Sequence, residues 1–128
     1  MGGSGNGRAY IAQYDNSGIL MWTRQFGDNL LIDSSDIKVD TYDNVYIAGR
    51  TQNAFGGINY GRSDAYWARF STSGMMLESQ TLGTIGEDSA TAIELDNWGN
   101  LYITGTTFGE LGGTSAGATD VYVAQYSV

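Results

Sequence analysis

Short runs of β-branched and aromatic residues alternate along this chain with clusters of Gly, Asn, Asp and Ser, the pattern of strands separated by turns. The clearest stretch predicts strands over Ser35–Asp40, Asn44–Thr51, Asp64–Ser71 and Met75–Leu82. Asp40-Thr41-Tyr42-Asp43-Asn44 joins the first two and Thr72-Ser73-Gly74 the last two. Both links are short enough for hairpins, with Gly or Asn available where φ must be positive. No helix is predicted, because the apolar runs lack a sustained 3.6-residue spacing and 19 glycines interrupt them. Leu101-Tyr102-Ile103 and Val121-Tyr122-Val123 are apolar on both alternating faces, which predicts strands buried between two layers.

The pattern repeats. Residues 9–64 and 65–120 align at an offset of 56 with 17 identities, and a partial third copy covers 121–128. The identities include Gly18/Gly74, Gly49/Gly105, Asp40/Asp96, Asn44/Asn100, Tyr46/Tyr102, Gly56/Gly112 and Asp64/Asp120. Ala9-Tyr10-Ile11-Ala12-Gln13-Tyr14 returns as Ala65-Tyr66-Trp67-Ala68-Arg69-Phe70 and again as Val121-Tyr122-Val123-Ala124-Gln125-Tyr126. A fixed period of this length marks a repeat architecture, in which each unit buries its faces against its neighbours. Four-stranded antiparallel units at constant spacing, buried on both faces, are expected to be blades of a β-propeller. Residues 1–7, Met-Gly-Gly-Ser-Gly-Asn-Gly, stand outside the repeat and predict a flexible leader before a propeller fragment over 8–128.

Asp96 to Thr107, which reads D-x-x-G-N-x-Y-x-x-G-x-T, and the following Gly112 to Ser127 resemble the bacterial SBBP repeat, the unit of a seven-bladed propeller. Asp64 to Ser71 and Gly86 to Ala90 carry the same resemblance, which covers residues 8–128. The first copy departs from it at Asn29-Leu30-Leu31-Ile32-Asp33, in place of an acid-rich turn, and at Asp43, in place of Gly99. The resemblance implies a non-catalytic, architectural unit from a large bacterial protein, secreted or on the cell surface. No segment with a basic start and apolar core reads as a secretory signal in this chain.

With strands lettered A to D outward from the propeller axis, the chain reads C-D, A-B-C-D, A-B-C, about two blades. Two blades cannot close a ring, so completion by oligomerisation is expected. The A-B-C end of one chain would take the C-D start of another, with one C strand in surplus. Tyr10, Ile11, Ala12 and Tyr14, with Tyr122, Val123, Ala124 and Tyr126, are the expected junction. The expected partner is the chain itself, as a homotrimer or homotetramer, since heterologous contacts close into rings when the rotation fits.

Composition removes most other functions. The formal charge is −8, from 14 acids against 6 scattered bases, so there is no basic footprint for nucleic acid or an anionic membrane. No apolar stretch approaches a membrane span. Histidine and cysteine are absent, which excludes histidine-based catalysis, histidine and thiolate metal sites, and disulfides. No G-x-S-x-G motif occurs. The expectation is no catalysis, no cofactor and no metal. Glu87-Asp88 reads as a solvated pair in a turn between blades. The Asp-rich turns at Asp15, Asp40 and Asp96 offer oxygens of the kind calcium takes. Asp and Asn in hairpins bond their own backbone, however, which accounts for them without an ion.

Lys38 and Glu94 hold equivalent places on the innermost strand and are expected to pair between blades or to be hydrated, rather than to line a charged channel. Glycan binding is the alternative function. Tyr42 and Trp98 lie at A–B hairpins, Phe55, Asn59, Tyr60 and Arg62 in one B–C loop, and Phe108 in the other. Aromatics there can stack on sugar rings or cap the blade cores. The two copies differ at most of these positions, which argues against a repeated sugar site.

Overall fold

The computed structural model describes residues 8–27, 31–55 and 57–128. The Gly-rich leader at 1–7, Asn29 and Leu30 of the departing turn, and Gly56 of the Gly56/Gly112 pair lie outside the described residues. The described residues form nine strands and no helix. Sheet I holds β1 (Ala9–Tyr14) and β2 (Leu20–Phe26). Sheet II holds β3 (Ile32–Val39), β4 (Val45–Thr51), β5 (Asp64–Phe70) and β6 (Met76–Leu82). Sheet III holds β7 (Asp88–Leu95), β8 (Asn100–Thr107) and β9 (Asp120–Ser127). Every ladder is antiparallel and joins strands adjacent in sequence.

One boundary differs from the expectation by more than a residue. β3 begins at Ile32, ahead of the predicted Ser35, because Ile32 is buried in the core between sheets I and II and draws the backbone into pairing with Thr51. A bulge between Ser34 and Asp36 then restores the register, as the bulge between Ala90 and Ala92 does in β7.

The repeated identities have structural reasons. Asp40 is the hub of the β3–β4 hairpin. Its Oδ1 accepts the N–H groups of Tyr42 and Asn44, and its Oδ2 accepts the Asn44 amide at 2.9 Å and the Tyr46 hydroxyl at 3.3 Å. Asp96 does the same with Trp98, Asn100 and Tyr102. The position before the Asn has positive φ in both copies, 61° at Asp43 and 86° at Gly99. Asp tolerates this left-handed geometry better than most residues, so the departure from glycine leaves the turn intact.

Two cores lie between the sheets. Ile11 of sheet I packs with Ile32, Val45, Ile47, Tyr66, Ala68 and Phe70 of sheet II, flanked by Trp22, Phe26 and Phe55. On the other side of sheet II, Tyr46, Ala48, Ala65 and Trp67 meet Ala90, Ile93, Leu101, Ile103 and Tyr122 of sheet III. Alternate residues of β4 and β5 therefore serve different cores, and both strands are buried along nearly their whole length.

Candidate functional site

The junction between sheets II and III sets the rules for how one sheet receives the next. At its inner edge, Lys38 Nζ and Glu94 Oε2 are 3.3 Å apart and the Asp36 carboxylate accepts the Ile93 N–H at 3.0 Å. Lys38 and Glu94 thus pair between neighbouring sheets. The Ile93 N–H, with help from Lys38, holds the Asp36 carboxyl below its ordinary range. At one end, Asp88 N–H donates to the Ser63 carbonyl at 2.8 Å and Arg62 N–H to the Gly86 carbonyl at 3.1 Å, a short parallel stitch between sheets. Outward, the Trp67 and Tyr126 rings lie 5.3 Å apart.

Two carboxylates are buried at this stitch. Asp64 accepts the Tyr60 N–H at 2.8 Å, and Asp88 accepts the N–H and hydroxyl of Thr84. The second oxygen of each has no donor among the described residues. Burial, with a contribution from Asp88, raises the Asp64 pKa above its ordinary value. The reading of Asp88 as a solvated turn acid is therefore corrected. It opens β7 inside the junction, because its backbone N–H is used for the stitch and its side chain ties down the preceding turn; Glu87 remains exposed.

The outer faces of sheets I and III repeat these surfaces without a cover. In sheet II the residues facing forward, Ala65 and Trp67, are 0% exposed. Their counterparts one period later on sheet III, Val121 and Val123, are 77% and 73% exposed. Facing backward, Tyr66 and Phe70 are buried in sheet II, while their counterparts on sheet I, Tyr10 and Tyr14, are exposed. Among the described residues, β1 pairs only with β2 and β9 only with β8, so each leaves one backbone edge open. Of the eight expected junction residues, Tyr10, Tyr14 and Val123 stand on open surface, whereas Ile11 and Tyr122 are buried against sheet II of the same chain. Ala124 and Tyr126 pack at the margin of the second core, and Ala12 is half-buried. Val121 is as exposed as Val123; its alignment with Ala65 was the signal that would have found it.

The aromatic loops divide between the two ends of the sheets. Tyr42 and Trp98 flank a cleft of about 520 Å³ between the β3–β4 and β7–β8 hairpins, which Tyr46, Arg69, Asp40, Asp96 and Val128 also line. Both aromatics are largely exposed and cap no core. Arg69 stands over the Tyr46 ring at 6.0 Å and pairs with Glu78 at 3.6 Å, a role in the cleft that its scattered position in the sequence hid. Burial pushes the Asp40 pKa up, but the bonds from Asn44, Tyr42 and Tyr46 outweigh it and the carboxyl lies below its ordinary value. The Asn100 side chain leads the same downward effect on Asp96. These oxygens already accept the N–H and O–H groups of their own hairpins, the arrangement expected without an ion.

Phe55, Asn59, Tyr60, Arg62 and Phe108 lie at the other end. Phe55 packs on Phe26 at 5.4 Å and edge-on to Tyr66 at 5.0 Å, so it plugs the first core, as Leu111 does one period later in the second. Asn59 braces its own loop through Gln52 and Gly61. Tyr60 and Phe108 are exposed, with their N–H groups used in the loop and the stitch region. Trp22 sits against Gly74 and donates to the Thr72 carbonyl, and Trp67 is fully buried, so both are packing residues.

No curated protein matches the chain. Residues 22–56, from β2 through β4 into the following loop, match the family model of SBBP, a β-propeller repeat, and the strands, the antiparallel four-stranded sheet and the face-to-face stacking agree with that likeness.

Proposed function

We propose that this chain is a non-catalytic structural propeller module whose activity is self-assembly into a closed homo-oligomeric ring. The observation that carries this reading is the contrast between Val121 and Val123, exposed on sheet III, and Ala65 and Trp67, wholly buried at the same repeat positions on sheet II. A second copy carries the surface that the internal junction uses on the back of its sheet II, where Ile37, the counterpart of the buried Ile93, is exposed. Contiguous apolar patches of this kind mark association surfaces. The open edge of β9 adds backbone pairing. Three chains of two blades give a six-bladed ring and four give an eight-bladed one. Native molar mass by light scattering across a concentration series tests this. A discrete trimer or tetramer is expected, and a monomer at every concentration would overturn it.

Glycan binding is the second reading, supported by the cleft that Tyr42 and Trp98 both line. Asp40 and Asp96, the carboxylates best placed for sugar hydroxyls, are saturated by their own hairpins, which favours the structural role. Quenching or a blue shift of tryptophan fluorescence on glycan titration, lost in Trp98→Ala, would establish it; silence across a glycan array would remove it.

A further inference from the structure

The chain carries two strands for the third place in a blade, β1 and β9, and a shared blade has room for one. Resting on the assembly reading above, we infer that β1 is a placeholder: in the ring, β9 of one chain takes the place that β1 holds in another, pairs with that chain's β2, and β1 is released.

The backward-facing residues cannot decide between the strands. Tyr10, Ala12 and Tyr14 of β1 are matched by Tyr122, Ala124 and Tyr126 of β9, residue for residue. Either strand would therefore present the same surface to the sheet behind it. β9, however, already occupies that place within its own chain. It pairs with β8 without a bulge from Asp120 to Ser127. The Tyr122 hydroxyl donates to the Ser89 carbonyl at 3.1 Å, and the Thr104 hydroxyl donates to the Tyr122 carbonyl at 2.8 Å. A partner's β1 could displace it only by replacing intramolecular contacts with the same contacts made between molecules, at the loss of their high effective concentration.

The forward-facing residues permit the opposite exchange. β1 presents Ala9 and Ile11 to the first core, with Gln13 two residues further along the strand, and β9 carries Val121, Val123 and Gln125 at those positions. Replacing Ala and Ile by two valines adds a single carbon in total, close to the volume-conserving swap that cores accept best. Val121 and Val123 would leave solvent for the surface of Ile32, Val45 and Ile47 that Ile11 now covers.

β2 does not depend on β1 for its position. Trp22 Nε1 donates to the Thr72 carbonyl at 2.9 Å, Arg24 donates to the Ser73 carbonyl at 3.3 Å, and Phe26 packs 5.6 Å from Phe70. These contacts hold β2 against sheet II while its partner strand changes. The β1–β2 ladder is short and has a bulge between Gln13 and Tyr14; an isolated two-stranded sheet is marginal on its own.

The chain has no cysteine, so engineered pairs in the whole 128-residue chain report the exchange. Ala12 and Thr23 face each other across β1 and β2, which suits a disulfide between cysteines at both sites. In Ala12→Cys/Thr23→Cys, oxidation locks β1 in place. The expected result is loss of the oligomer on oxidation and its return on reduction, in the same preparation. The repeat register sets Ala124 opposite Thr23 of a neighbouring chain, so Ala124→Cys/Thr23→Cys should give disulfide-linked multimers on a non-reducing gel. An oxidised Ala12/Thr23 variant that assembles as fully as its reduced form would overturn the exchange, as would an assembled Ala124/Thr23 variant that forms no link between chains. If the unmodified chain itself stays monomeric, the assembly reading fails first.

Discussion

Tyr10 and Tyr122 stand at the same position of the repeat, two periods apart, yet Tyr10 is 72% exposed and Tyr122 only 8%. The difference is the sheet behind them. Tyr122 lies against sheet II, its hydroxyl reaches the Ser89 carbonyl of β7 in its own sheet, and burial raises its pKa. Tyr66, between the two, donates to or accepts from Ser34 at 2.8 Å, and burial pushes its pKa up to about 12. One residue type at one repeat position thus measures whether a neighbouring sheet is present.

Removing the hydroxyl separates the two sites. Tyr122→Phe should destabilise the chain by about 0.5–1.5 kcal/mol, the usual net value of one hydrogen bond. Tyr10→Phe should leave the urea midpoint unchanged, because its hydroxyl stands in solvent. Equal effects of the two substitutions would contradict the packing described for β9.

Gly105 illustrates a backbone that admits no side chain. A Cβ there would run into the Ser89 carbonyl oxygen, and one at Gly49 into that of Asp33, where the bulges of β7 and β3 bring the first strand of each sheet close. Gly105→Ala should cost about 1–3 kcal/mol, as overpacking does. Gly113 has open space around it and serves as the control, with Gly113→Ala expected within about 0.5 kcal/mol of the parent. Denaturant titration of both variants reads the difference.

Period and turn chemistry made the strands legible, because a repeat aligns weak signals and lets each copy interpret the other. The hairpins could be read from Asp40-x-x-x-Asn44-x-Tyr46, although the four-bond hub beneath that spacing emerged only in three dimensions. Asp88 was misread since an acid beside Glu87 looks solvated, and nothing local announces that its N–H stitches two sheets. Phe55 was hidden for a similar reason: a loop aromatic that binds a ligand and one that plugs a core share a composition. Comparing Phe55 with Leu111 at the same repeat position would have distinguished them, because a ligand site has no use for leucine where a core does.

Asp40 should govern the acid limb of stability. Its folded pKa lies below the unfolded value near about 3.9, so the contribution is present above that pH and is lost as pH falls through the folded pKa. Asp40→Ala removes the hub and should lower stability near neutral pH by about 1.5–3 kcal/mol, the range for hydrogen bonds to a charged group. The gap from the parent should shrink on acidification. A gap independent of pH would mean that the carboxylate's charge contributes nothing to the hairpin.

Asp64 should act in the opposite sense. Burial beside Asp88 raises its folded pKa above the unfolded value, so its favourable protonated contribution is complete below the unfolded pKa and is lost as pH rises through the folded one. Asp64→Asn keeps an oxygen to accept the Tyr60 N–H at almost the same volume, while removing the buried charge. The variant should therefore gain on the parent as pH rises from about 3 to about 7, whatever their relative stability at the acid end. Urea midpoints for both proteins across that range decide the matter. Parallel curves would show that Asp64 titrates alike in the folded and unfolded chain, and the charge of this buried acid would then carry no part of the stability of the junction between sheets II and III.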